Sequence, residues 1–466
     1  MSGSPARRSP SPSEVGFALL SRRQVLAVSA AVAGGGALLA ACGSDDDTTE
    51  TTSAPAETTG GTTAATEAAA EGTTPAASGD EVTFGSNYSD PKDSAAIKAA
   101  VDSTGLNVKI NTVDHNTYQE NFNTYVQQPD DVMCWFAGYR MRAFARKGVV
   151  GDVTDVWSNL TDMSEGFKNA STLDGKQYFV PFYFYPWAVH YRKSLFEEKG
   201  YEIPTTWDEF KALCDKMVAD GITPLAGAND GRWPQMGMFD MINMRTNGYD
   251  FHVSLMGGNE DWTGDKVKEV FAHWAELLDY MQPDANGRTW QDAATAFGNK
   301  ECGMYLLGTF VTSNFDPTTD DTAQEIIDDI DFFAFPVINE EFGQDAVEAP
   351  IDGFMLAASP KNAEGAKALL AGLGQAAAID AYIAVNPAVV AANGKADTSG
   401  YSPLQKKSAE LVGSAKYISQ FLDRDTDPDF ASKVVGEAIA DFLADPSTID
   451  TILASVEEQK STYTFE

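Results

Sequence analysis

Cysteine and histidine are scarce in this chain, with four of each in 466 residues. So few cysteines exclude a disulfide scaffold. His115, His190, His252 and His273 stand far apart, with no pair at metal-ligand spacing. Basic residues are also few: 33 Lys and Arg face 68 Asp and Glu, a formal charge of −35. That acidity repels phosphate backbones, which excludes general nucleic-acid binding. It equally excludes a polybasic mode of lying on membranes. Beyond residue 42 no apolar run reaches the roughly 20 residues of a spanning helix, so the body is not a membrane channel. Phosphate-cradling glycine motifs, a GxSxG elbow and an HExxH pair are absent as well. Asp423-Arg424-Asp425-Thr426-Asp427 imitates the start of a calcium loop, but Pro428 and Val434 occupy the positions that need Gly and Glu. No metal and no cofactor is expected.

What is present begins with an address. Arg22 and Arg23 precede an apolar run, Leu26 to Ala41, of signal-peptide length. The paired arginines match the twin-arginine export pattern. The run closes on Leu39-Ala40-Ala41-Cys42, which resembles the lipobox of bacterial lipoproteins. Residues 1–42 therefore read as a signal peptide with Cys42 as the lipid-modified (palmitate-bearing) residue. Residues 43–80 hold no aromatic and no Val, Ile, Leu or Met, but eight acids. Such a stretch cannot offset its ordering entropy and reads as a disordered acidic tether. The three other cysteines, Cys134, Cys214 and Cys302, are an odd number in apolar settings and read as buried, inert thiols.

The body alternates strand and helix patterns. Strands are expected at 82–84, 108–113 and 131–136, with helices at 93–101, 118–126 and 140–146. This rhythm predicts an α/β layer with a mainly parallel sheet. Ligands of such sheets bind where strands end and loops begin. Between Tyr178 and Tyr191, eight of fourteen residues are Phe, Tyr or Trp, and Pro181 and Pro186 break the run into two extended pieces. Thr206 and Glu209 have capping-box spacing, predicting a helix that runs to Gly221. A further helix is expected at 267–278. From Asn362 onward the pattern is mainly helical, at 363–373, 403–421, 430–443 and 448–459. Flat aromatic side chains flanked by Asp, Asn, Gln and Arg suit a pyranose, whose ring has apolar faces and hydroxyl edges.

Several segments together resemble the extracytoplasmic solute-binding proteins of bacterial ABC importers, in particular the carbohydrate-binding group that includes maltose-binding protein. They are Asp131 to Gly138, Asp174-Gly175-Lys176-Gln177-Tyr178-Phe179-Val180-Pro181, Tyr191-Arg192-Lys193-Ser194-Leu195-Phe196 and, most specifically, Pro204-Thr205-Thr206-Trp207-Asp208-Glu209-Phe210. Lys300 to Phe310, Ile351-Asp352-Gly353-Phe354 and Lys361 to Ala366 extend the likeness over roughly residues 81–445. Phe310 stands where the family usually has Trp.

The resemblance implies a two-lobed, type II periplasmic-binding-protein-like α/β fold with a multi-strand hinge and a helical C-terminal region. Its implied division is 81–185 as the first lobe (with a return segment at about 310–350), 186–309 as the second, and 351–466 completing the second lobe and hinge. It implies a non-enzymatic, monomeric protein, lipid-anchored at Cys42 outside the cytoplasmic membrane, handing a sugar to ABC permease subunits. By role, Trp135, Trp187 and Trp233 would stack on sugar faces, and Tyr185 and Phe310 would line the pocket. Asn87, Arg140, Gln235, Asn243, Asp352, Asn386 and Asp425 would bind hydroxyls. The residues alone leave other readings open. They are a binding protein for a polyamine, peptide or phosphorylated sugar, an exported carbohydrate-active enzyme with two carboxylates facing across a cleft, and a structural surface lipoprotein.

Overall fold

The computed structural model describes residues 81–465. The export signal, Cys42 and the acidic tether lie outside the described residues. Two sheets carry the architecture. The first runs in the order Val390–Ala391, Val180–Phe184, Ile351–Ala357, Val132–Phe136, Val82–Ser86, Val108–Thr112, with Val150–Gly151 beside Ile351–Ala357. Its strands at 82–86, 108–112 and 132–136 are parallel, whereas Ile351–Ala357 enters antiparallel between Val132–Phe136 and Val180–Phe184. The second sheet runs Ile330–Phe333, Trp187–Arg192, Cys302–Gly308, Thr223–Leu225.

Local chemistry explains the main elements. Pro91 opens the helix Pro91–Ser103, where its missing N–H costs nothing. The capping box at Thr206 and Glu209 forms in both directions and starts the helix Trp207–Ala219, and Gly221 follows at φ 76°. Asp131 is a fastener. Its carboxylate accepts from the backbone N–H of Thr83, 2.9 Å, and of Asn362, 3.2 Å, tying two strands to the start of helix Ala363–Leu373. Pro186 divides the aromatic run as expected, leaving Val180–Phe184 in the first sheet and Trp187–Arg192 in the second. Pro181 is tolerated inside its strand because the pairing with Ile351–Ala357 shifts register between Asp352 and Gly353. Gly353 is required there, since a Cβ would strike the Val180 carbonyl and the Phe179 ring.

The expected boundaries need correction in three places. Residues 310–350 do not return to the first sheet, because Ile330–Phe333 pairs with Trp187–Arg192 in the second. The return comes at Ile351, and helix Ala376–Val385 then packs on Pro91–Ser103, so residues 351–391 complete the first lobe rather than the second. The helix expected over 403–421 stops at Ser414, and Tyr417–Ser419 pairs instead with Ala346–Glu348. The 118–126 helix is two short ones, His115–Glu120 and Phe122–Tyr125, parted at Asn121. The chain thus crosses between the sheets at Tyr185-Pro186 and again before Ile351; after Ala391 it leaves the first sheet and packs Leu422–Asp425 on helix Met236–Asn247 of the second lobe. Cys134, Cys214 and Cys302 are free and buried, and burial pushes the Cys214 and Cys302 thiols up to about 12.

Candidate functional site

The crossings frame a cavity of about 160 Å³. The first sheet supplies the loops at the C-terminal ends of its parallel strands, as expected for such sheets. Asn87 follows Val82–Ser86, and Asp90 and Asp93 sit at the start of the next helix. Asp114 caps helix His115–Glu120 by accepting from Thr117 N–H, 2.9 Å, which brings His115 and Gln119 to the same wall. The second lobe supplies Asp230 and Trp233, Thr289 to Gln291, and Phe310. The crossings supply Tyr185, Trp187, Pro350 and Asp352. Phe421, Asp423 and Arg424 close the cavity.

The aromatic side chains form one continuous wall. The Phe310 ring lies 5.1 Å from Tyr185, 5.3 Å from Trp290 and 6.1 Å from Trp233, measured between centroids. Trp187 meets Trp233 edge-on at 6.3 Å and Phe421 at 4.9 Å. Gly237 makes room for Trp187, because a Cβ there would collide with the indole. Phe421 is held at φ 105°, a conformation that a bulky residue adopts only when its surroundings impose it.

A polar network faces that wall. Arg424 donates from Nη1 to Asp352 Oδ1, 2.8 Å, and from Nη2 to the Tyr185 hydroxyl, 2.9 Å. Its guanidinium lies 3.9 Å from the centre of the Phe136 ring. Asp423 accepts from Arg140, 2.8 Å, which itself also donates to Gln119, 2.7 Å. Four buried atoms of these lining residues make no hydrogen bond within the described residues: Arg424 Nε, Asp423 Oδ1, Asn386 Oδ1 and Trp187 Nε1. Burial, reinforced by Arg424 and Arg140, lowers the His115 imidazole to about 4, so it is neutral near pH 7. Burial and the neighbouring Asp90 push Asp93 up to about 6, opposed by hydrogen bonds from Tyr382 and Asn386.

Of the residues singled out from the sequence, Asn87, Tyr185, Trp187, Trp233, Phe310, Asp352 and Asn386 lie around this cavity. Five do not. Trp135 alternates on its strand to the face away from the cleft, 1% exposed, stacked on Phe122 at 3.5 Å. Arg140 stands behind Asp423 and over the Trp135 ring, so it positions the site without lining it. Gln235 donates to the Ala228 carbonyl, 3.0 Å. Asn243 is enclosed in helix Met236–Asn247, where its amide lies 3.2 Å from His252 Nδ1. Asp425 binds Ser419 and the Gln420 N–H, because the short helix Leu422–Asp425 turns Asp423 and Arg424, and not Asp425, toward the cavity. The sequence reading passed over Asp423, Arg424, His115, Gln119 and Trp290. Only the first two lay in a run already noticed, the imitation calcium loop.

The sequence profile of the bacterial extracellular solute-binding proteins matches residues 88–379. Among solved structures, the bacterial solute receptor AcbH, described as having an exclusive preference for β-D-galactopyranose, is 43% identical. The match has a TM-score of 0.78 and covers 82% of this chain and 98% of that one. A chitin oligosaccharide binding protein shares the fold at 18% identity and TM-score 0.74, over 82% of this chain and 98% of its own. An ABC transporter extracellular-binding protein of Pyrococcus horikoshii, itself uncharacterised, is 22% identical over 62% of this chain and 64% of its own length. A probable sugar-binding periplasmic protein of Mesorhizobium japonicum is 27% identical over 38% of this chain and 44% of its own. The chain thus spans less than two thirds of the length of these two curated relatives.

Proposed function

Because this chain belongs to the family of bacterial extracellular solute-binding proteins, we propose that it captures a monosaccharide between its two lobes and delivers it to an ABC permease. The observation that carries this reading is the cavity itself. A cavity of about 150 Å³ encloses a molecule as small as benzene, and this one, at about 160 Å³, is on the scale of a single small ligand and not of a long oligosaccharide. Its walls pair aromatic faces with buried hydrogen-bonding groups, the combination a pyranose requires. The likeness to AcbH makes D-galactose the first ligand to try.

Loops of both lobes line the cavity, so a bound sugar bridges them and shifts an open–closed equilibrium toward closed. The closed form is what the permease reads. The protein acts outside the cytoplasmic membrane as a monomer, held by lipid on Cys42 after twin-arginine export of its folded body. No step alters the sugar.

A thermal-shift and calorimetry panel of mono- and oligosaccharides, with polyamines and peptides as controls, tests the reading. Ligand at 100 times its dissociation constant adds about 2.7 kcal/mol of stability. A hit with one monosaccharide, recovered unaltered, is expected. A consumed sugar would move the protein to the enzymes, and a response to polyamine or peptide alone would sink the sugar reading. Metabolic labelling with palmitate, lost in Cys42→Ser, checks the anchor.

A further inference from the structure

We infer that the cavity selects its sugar by charge, taking neutral and amino monosaccharides and rejecting those that carry a carboxylate or phosphate. This rests on the sugar reading above. The residues around the cavity include the carboxylates of Asp90, Asp93, Asp114, Asp230, Asp352 and Asp423, against one guanidinium, Arg424. That guanidinium is already engaged by Asp352 and Tyr185. Its remaining Nε lies 3.8 Å from Asp423 Oδ1, so an anion drawn to Arg424 meets two carboxylates beside it. Asp423 is balanced from behind by Arg140. Asp90, Asp93, Asp114 and Asp230 form no ion pair within 4 Å among the described residues; Lys92 bears on Asp93 and Arg232 on Asp230 only from farther off, so acids still outnumber bases around the lining. Fields of one sign are focused in clefts with low-dielectric walls.

Two further observations point the same way. Asp423 Oδ1 and Asn386 Oδ1 accept no hydrogen bond, on side chains that are 8% and 1% exposed, the former with Arg424 Nε 3.8 Å away. The lining is rich in oxygens that accept: a sugar hydroxyl or an ammonium group, with three donors, suits them, whereas a carboxylate brings acceptors only. Trp233, Trp290 and Phe310 add π faces that attract a cation and repel an anion.

Titration calorimetry on the full chain tests this with D-galactose, 6-amino-6-deoxy-D-galactose, D-galacturonate and the uncharged D-galacturonamide, and with the matching glucose series. The amino sugar is expected to bind at least as tightly as its neutral parent. The galacturonate should bind at least about tenfold more weakly than its amide, the size control, a difference of about 1.4 kcal/mol. Acid within about threefold of the amide overturns the charge selection while leaving the sugar reading intact. No binding of any neutral hexose overturns the sugar reading, and this inference with it. In Asp93→Asn the affinity ratio of amino sugar to neutral sugar should fall, with the variant's unfolding transition confirming that it is folded. An unchanged ratio overturns the role given to the lining acids.

Discussion

Trp135 and Trp233 carry the same indole into different surroundings. Trp135 is sealed between Phe122 and the Arg140 guanidinium, so Trp135→Ala is expected to cost about 3–5 kcal/mol of folding stability. Trp233 stands at the cavity, partly buried and edge-on to Trp187. Trp233→Ala should leave the fold in place and weaken sugar binding by about 2 kcal/mol or more, the scale of an aromatic anchor. Unfolding curves and calorimetry on the two variants separate these roles. The sequence could not tell the two apart, because strand alternation decides the matter. Without the register of Val132–Phe136, a Trp at a strand end reads the same on either face. The Asp423-Arg424-Asp425 run shows the limit from the other side. Its polarity drew notice, but a single helical turn decided that Asp423 and Arg424 face the cavity while Asp425 faces away.

Helices and strands with strong local signals were legible: Ala363–Leu373 and the capping box before Trp207–Ala219 stand where expected. Elements fixed by distant partners were not, and Tyr417–Ser419 is a strand only because Ala346–Glu348 lies beside it. That short ladder brings Glu348, fully buried, beside Asp240 of helix Met236–Asn247, the one carboxyl facing the other. Asp240 in turn accepts from Leu422 N–H, 2.6 Å, next to Asp423 and Arg424. Burial first, and then the charges of Asp425 and Asp423 on Asp240 and of Asp240 and Asp425 on Glu348, hold both carboxyls well above the usual range. Folding therefore keeps protons that the unfolded chain releases above about pH 4, and stability falls as pH rises beyond that point. Glu348→Gln removes this penalty, so its stability relative to the parent should grow by about 1–3 kcal/mol between acidic and mildly alkaline pH. Asp131 has the opposite sign. Burial alone would raise it, but the N–H groups of Thr83, Asn362 and Lys361 outweigh burial and hold it low. Its contribution is present above the unfolded value near 4 and disappears as pH falls. Asp131→Asn should cost about 1–3 kcal/mol at neutral pH and flatten the acid limb of the unfolding profile.

At the scale of the molecule, two crossings join the two sheets and a third segment, after Ala391, passes between the lobes, and the cavity lies among them. Lobe closure on sugar binding should reduce the radius of gyration in solution scattering, and Asp423→Ala should lose that compaction together with affinity. A radius unchanged at saturating sugar would refute closure. The α/β plan was readable from the strand–helix rhythm and the two lobes from the family likeness, but the expected mainly parallel sheet was not met, since most pairings in the two main sheets are antiparallel. The point at which the chain returns was not, since nothing local in Ile351–Ala357 says which sheet it will join.

That return dictates an order of events in folding. All four strands of the second sheet fall between Trp187 and Phe333, so that sheet assembles from a contiguous stretch. The first sheet needs Ile351–Ala357 to insert between Val132–Phe136 and Val180–Phe184, and Asp352 pairs with Phe136 across more than two hundred intervening residues. Closing so long a loop is slow. Amides of Cys302–Gly308 should therefore gain protection from hydrogen exchange before those of Val132–Phe136. Until the late strand arrives, the edges of Val132–Phe136 and Val180–Phe184 stay open to pairing with other chains. A chain emerging residue by residue on the far side of a membrane would hold those edges bare until residue 357 had crossed.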